Sequence, residues 1–155
     1  MKPLIAFDTA ALVSLGHTDY VHQIIKNITV IITDEIKLEL ETIAKREDED
    51  ASSAQQWLNL ISELSIKNMG KRPAAEDELF DICKKYRLLL VTDDVKAIKR
   101  FDDSVEMLFS VHIIYLLYTK DLISKENALL SIEKMRSKRD WKKNIIAITS
   151  QQLFE

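Results

Sequence analysis

Leu4-Ile5-Ala6-Phe7-Asp8-Thr9 runs through four apolar residues and stops on a carboxylate. An apolar run of this length without alternation is the form of a strand buried on both faces of a parallel sheet, and the Asp-Thr pair after it marks the start of a helix. The same form returns twice. Ile28-Thr29-Val30-Ile31-Ile32 is a β-branched run followed by Thr33-Asp34, and Leu88-Leu89-Leu90-Val91-Thr92 is followed by Asp93-Asp94.

Between these runs apolar residues recur at helical spacing. Ala10 to Leu15 continues to Gly16. Val21, Ile24 and Ile25 follow Thr18, which reads as an N-cap, and Ile36, Leu40 and Ile43 follow Thr33-Asp34. Residues 54–64 carry Trp57, Leu58, Leu60 and Ile61, and residues 75–86 carry Leu79, Ile82, Cys83 and Tyr86. Arg46-Glu47-Asp48-Glu49-Asp50 reads as a solvated charged turn without chemistry, Ser65-Ile66-Lys67 as a short strand, and residues 67–73 as the main loop. Beyond them, residues 109–118 and 125–136 form two packed helices, and Trp141 with residues 145–148 closes the chain as a tail over the core. Strand and helix alternate, so the expected architecture is α/β: three α/β/α layers, a central parallel sheet of four or five strands, right-handed crossovers and a helical C-terminal tail.

Composition bounds the chemistry. The 155 residues are 46% hydrophobic and 30% charged, with two Gly, two Pro and one Cys, which fits a single domain over 1–155: a core of about 1–107 and a helical extension of about 108–155. One Cys forms no internal disulfide and no CxxC zinc site, and the shortage of Gly excludes GxGxxG and GxxxxGKS phosphate loops. The net charge of −3 means that a polyanionic partner has to be met by a local basic patch. Asp8 breaks the apolar start too early for a signal-peptide core, and the longest other apolar stretch, residues 107–118, is short of the about 20 residues of a membrane span. The expectation is a soluble, cytoplasmic protein with no membrane contact.

Strand ends in such sheets are where ligands bind, and Asp8, Asp93 and Asp94 all lie at strand ends. Successive helical residues turn by about 100°, which puts Glu39 roughly 60° from the Ile36/Leu40/Ile43 stripe and Glu41 about 140° away, toward solvent. Glu76 lies about 70° from the Leu79 stripe, with Asp77 nearly opposite it. Converging carboxylates repel one another and are costly inside a protein unless a cation compensates them. Oxygen donors without a nearby His or Cys pair suit Mg²⁺ or Mn²⁺. The candidate site is therefore Asp8, Glu39, Glu76 and Asp94 as metal ligands, Asp93 as a fifth candidate, and Thr9 and Thr92 as hydroxyls that orient water or a phosphate oxygen. Singly, most of these acids read better as a helix cap, a boundary residue or a polar turn; the balance shifts because one doubly wound topology brings them all to the same edge of the sheet.

Four segments in order, Leu4-Ile5-Ala6-Phe7-Asp8-Thr9, Thr33-Asp34-Glu35-Ile36-Lys37-Leu38-Glu39-Leu40, Ala75-Glu76-Asp77-Glu78-Leu79 and Leu89-Leu90-Val91-Thr92-Asp93-Asp94, resemble the PIN domain, the nuclease fold that includes VapC-type toxins. The resemblance spans about residues 1–107. Residues 122–129 also resemble the helical tail of some prokaryotic PIN proteins. It implies that Asp8, Glu39, Glu76 and Asp94 form an acidic quartet, with Thr92 as the accompanying hydroxyl and Asp93 beside it. It implies metal-dependent hydrolysis of RNA, homodimerisation and, where the chain is the toxin of a toxin–antitoxin pair, neutralisation by an antitoxin protein. Ala10 stands where many relatives have Ser or Asn, and Glu76 where many toxins have Asp; neither removes a carboxylate.

RNA against an acidic pocket needs cations. Lys96, Lys99 and Arg100 follow the Asp pair, Lys71 and Arg72 sit in the main loop, and Lys134, Arg136, Lys138, Arg139, Lys142 and Lys143 form the densest cluster, interrupted by Asp140. That cluster reads equally as a solvated helix end, and Trp141 as core cover more than as a base-stacking ring. His17, His22 and His112 are scattered and read as surface or core residues. The apolar stripes of 18–25 and 54–64 read as a dimer face or as core packing. The competing reading is a non-catalytic PIN-like binding or scaffold protein. A phosphatase needing Asp-x-Asp after its first strand is disfavoured, since Thr9-Ala10 follows Asp8.

Overall fold

A computed structural model of the protein describes residues 2–68, 75–96, 104–139, 141 and 145–155, with 75–77 described by their backbone alone. Five strands form one all-parallel sheet in the order β3-β2-β1-β4-β5: β1 is Leu4–Phe7, β2 Thr29–Ile32, β3 Ser65–Ile66, β4 Leu89–Val91 and β5 Met107–Leu108. Eight α-helices accompany it among the described residues: α1 Thr9–Gly16, α2 Val21–Asn27, α3 Asp34–Ala44, α4 Glu49–Asn59, α5 Ala75–Tyr86, α6 Ser110–Thr119, α7 Lys125–Lys138 and α8 Ile145–Leu153. The fold is α/β with a central parallel sheet, as the alternation predicts. β1, β2 and β3 step one way across the sheet and β4 and β5 the other, so the connections diverge between neighbours β1 and β4. A crevice opens outside the carboxyl ends of strands at such a reversal.

Ile5, Ala6, Phe7, Val30, Ile31, Ile32, Leu90 and Val91 are all buried, as the unalternating runs require. α1 packs unusually close to α4. Ser53 Oγ donates to Val13 O at 2.5 Å, Gln56 Nε2 to Gly16 O at 2.5 Å and Trp57 Nε1 to Leu12 O at 2.6 Å, so polar groups of α4 satisfy the carbonyls of α1. A Cβ on Gly16 would stand 2.0 Å from Ser53 Oγ. Tyr115 and Tyr118 of α6 hold Phe154 after α8 at ring centroid distances of 5.4 Å each.

Several local expectations are corrected. Thr18 does not cap α2; its hydroxyl donates to Leu15 O at 2.7 Å, closing α1, and the N-cap position of α2 is Tyr20 with no side-chain cap. The helix expected at 54–64 starts earlier, at Glu49, because Asp48 caps it and Glu49 and Asp50 fill its first turn; it ends at Asn59 and a 3-10 turn follows at Ile61–Glu63. Tyr86 leaves the buried stripe of Leu79, Ile82 and Cys83 and is 49% exposed, because the helix ends there through Arg87 at φ 55°. β5 is an additional element, and α8 falls within the expected helical extension. Val21, Ile24, Ile25, Ala54 and Trp57, read as a dimer face or core, are core. Trp141, Ile146 and Ala147 are buried in the core as expected of the tail, whereas Ile145 and Ile148 are about half exposed.

Candidate active site

The crevice between β1 and β4 carries the carboxylates that the strand ends suggested. Asp8 follows β1, its N–H donating to Val91 O at 3.0 Å, and it caps α1 by accepting the Ala11 N–H on Oδ1 at 2.8 Å. Its Oδ2 accepts the Thr92 hydroxyl across the two strands. Burial raises the Asp8 carboxyl to about 7; its bonds to Thr92 and Ala11 oppose the rise, and the charges of Asp93 and Asp94 add to it. The Thr92 hydroxyl in turn accepts the Asp94 N–H at 3.1 Å, and Asp94 Oδ1 accepts the Lys96 N–H at 3.0 Å.

α3 brings the third acid. Thr33 caps it by accepting the Ile36 N–H at 3.2 Å, and Asn68 fixes its first residue by accepting the Asp34 N–H at 3.0 Å while donating to Asp34 Oδ2 at 2.7 Å. Thr9 then donates to Glu39 Oε2 at 2.8 Å. A pocket of about 120 Å³ is lined by Asp8, Thr9, Ala10, Ile36, Glu39, Leu79 and Asp94. Three of the four expected ligands thus face one cavity, with Ile36 and Leu79 as its apolar walls. Helical phase erred in one respect: Glu39 as a whole residue is exposed and Glu41 is the more covered, because Glu39 reaches over the helix edge to Thr9 rather than into the core. The side chain of Glu76 lies outside the described residues.

Asp93 does not line this pocket. Its Oδ1 accepts the Ser110 N–H at 2.8 Å and its Oδ2 the Ser110 hydroxyl at 2.6 Å, so it fastens the start of α6 to the end of β4. Burial raises its carboxyl, with the bonds from Ser110 and Ser14 and the charge of Arg139 opposing. His112 is likewise local, its Nδ1 accepting the Phe109 N–H at 2.9 Å. Cys83 is buried and its thiol pushed up to about 12, which removes it as a nucleophile.

The donor set suits a hard divalent cation in kind: oxygens from Asp8, Asp94 and Glu39 on one small cavity, one of them a buried carboxylate that a positive charge would relieve. Among the described residues no three His, Cys, Asp or Glu side chains stand close enough to hold a metal ion together. Glu39 engages Thr9, and in this arrangement Asp8 and Thr92 hold each other.

Of the expected basic residues, Lys96 is exposed beside the site, and Lys71, Arg72, Lys99 and Arg100 lie outside the described residues. The tail cluster is largely neutralised. Arg136 pairs with Glu133, Lys138 with Glu49 at 2.6 Å and Arg139 with Asp50 at 2.7 Å, while Asp140, Lys142 and Lys143 lie outside the described residues. Asp50 also meets His17 Nε2 at 2.8 Å. The run 46–50 is therefore not wholly a solvated turn: Asp50 joins the ends of α1 and α7, a pairing over 33 and 89 positions that no local pattern announces. Ser110 also escaped the sequence reading, for the same reason.

No helix among the described residues is long and apolar enough to cross a membrane. The sequence matches no protein-family model and no curated protein.

Proposed function

We propose that the protein is a PIN-like, metal-dependent ribonuclease that hydrolyses RNA phosphodiester bonds. The observation that carries this reading is the shared cavity of Asp8, Glu39 and Asp94 at the carboxyl ends of β1 and β4, where the topology reverses. Mg²⁺ or Mn²⁺ held there would supply Lewis-acid stabilisation of the phosphoryl oxygens and would make a water acidic enough to attack at neutral pH. Asp8, Asp94, Glu39 and, by resemblance, Glu76 are the residues that would hold it. Thr92 orients Asp8 and the backbone of Asp94 together, and Thr9 orients Glu39. Ile36 and Leu79 narrow the cavity on its apolar sides and limit water around the reacting phosphate.

A toxin neutralised by an antitoxin is the physiological setting that the resemblance supplies. The second reading, a non-catalytic protein of the same architecture, is favoured by one observation: the spacing of the described acids leaves no group of three able to bind one ion.

Incubating the protein with labelled single-stranded RNA and Mn²⁺ or Mg²⁺ separates the two. The nuclease reading expects cleavage that Asp8→Asn and Asp94→Asn abolish. Cleavage that persists in both variants removes the site, and an intact RNA panel together with no Mn²⁺ binding by calorimetry selects the non-catalytic reading.

A further inference from the structure

We propose that Tyr86, with Lys67, Lys84, Lys85 and Arg87, is a stacking platform for single-stranded nucleic acid. By its spacing Tyr86 belongs to the apolar stripe of α5, yet Leu79, Ile82 and Cys83 are buried while Tyr86 is half exposed. The ring is not bare: Lys67 Nζ stands 5.1 Å and Lys85 Nζ 5.3 Å from its centroid. Lys67 arrives from the segment after β3 and Lys85 from the last turn of α5, so two separate pieces of chain converge on one aromatic ring. Lys84 and Arg87 are exposed on either side in sequence.

The charge of this patch is available. None of the four cations is paired with a carboxylate among the described residues, whereas Arg136, Lys138 and Arg139 of the denser tail cluster all are. A half-exposed ring with two unneutralised ammonium groups at it and two further cations beside it in sequence matches a base with its flanking phosphates: the flexible lysine side chains swing from the ring to the backbone phosphates as the base stacks. A duplex keeps its bases stacked on each other and offers only phosphates to the same patch. α5 also links the patch to the cleft, since Leu79 lines the cavity and lies seven residues, roughly 10 Å along the helix axis, from Tyr86.

This inference adds a contact surface to the nuclease reading, and it is tested without cleavage. Fluorescence anisotropy of a labelled 20-nucleotide oligo-U RNA in EDTA is expected to show binding that Tyr86→Ala weakens about 10-fold and Tyr86→Phe less than twofold. Lys84→Gln, Lys85→Gln and Arg87→Gln are each expected to lower the slope of log affinity against log salt by about 0.7. A blunt RNA duplex is expected to bind with no response to Tyr86→Ala. Thermal unfolding confirms that the variants remain folded. Equal affinity of wild type and Tyr86→Ala for oligo-U, or an equal loss on the duplex, overturns the platform. Oligo-U binding that depends on Tyr86 with no RNA cleaved in Mn²⁺ keeps the platform and discards the nuclease; cleavage with Tyr86-independent binding does the reverse.

Discussion

The Thr92 hydroxyl donates to Asp8 and in the same position accepts the N–H of Asp94, so one side chain sets two acids of the cleft. Thr92→Val keeps the shape and removes both bonds, leaving a buried carboxylate oxygen without its donor. The expected result is a loss of about 1–3 kcal/mol in urea unfolding and about a 10-fold fall in RNA cleavage in Mn²⁺, with Thr92→Ser restoring both. Unchanged behaviour of Thr92→Val would show that the contact orients nothing.

Asp8 gives the fold a pH dependence of definite sign. Its carboxyl lies near 7 in the folded protein against about 3.8 when unfolded, so the native state holds the extra proton between those values. That stabilisation is complete below about pH 4 and is lost as pH rises to about 7; it amounts to a few kcal/mol, and the raised carboxyl of Asp93 works in the same direction. In EDTA, unfolding midpoints are expected to fall over this window. Asp8→Asn is expected to flatten the fall and to be more stable than wild type at pH 8. Mn²⁺ is expected to raise the wild-type midpoint at pH 8 and leave that of Asp8→Asn unmoved.

The node of Asp50 with His17 and Arg139 ties the C-terminal helices to the first helix. Asp50→Ala leaves Arg139, whose Nε is already buried without a partner among the described residues, lacking its counter-charge. A loss of about 2–4 kcal/mol is expected. A double-mutant cycle of Asp50→Ala with Arg139→Ala is expected to return a coupling of about 1–3 kcal/mol. A coupling near zero would mean that the pair is a surface contact only.

At Gly16 the helices α1 and α4 touch with no room for a methyl group. Gly16→Ala brings a Cβ to 2.0 Å from Ser53 Oγ and 2.8 Å from Ser53 O, so α4 has to move away and loosen the bonds from Ser53 and Gln56. The expected cost is about 3 kcal/mol by thermal or urea unfolding, despite the higher helix propensity of Ala. Gly16→Ala combined with Ser53→Ala removes the Oγ clash but keeps the backbone one, and is expected to recover only part of the loss.

What could be read in advance follows from range along the chain. β1, β2 and β4 declare themselves because strands buried on both faces need unbroken apolar runs, and the acids after them are placed by the topology alone. β5 did not, since Met107–Leu108 is two residues long and merges with the apolar start of α6. Asp48 is a plain cap signal that the surrounding charges disguised. Asp50, Ser110 and Tyr86 differ in kind: their roles depend on partners 17 to 89 positions away, or on where a helix stops, and no window of sequence contains that information.

Asp8 and Thr92 are 84 positions apart, and Asp93 is held only once Ser110 has arrived. During synthesis, a nascent chain that ends before Asp94 therefore has Asp8 and Glu39 but lacks the last acid of the pocket, and one that ends before Ser110 has the full lining without the tie of Asp93 to α6. On the nuclease reading proposed above, the catalytic centre is therefore complete only after β4 as the chain is made, and fastened only at the start of α6.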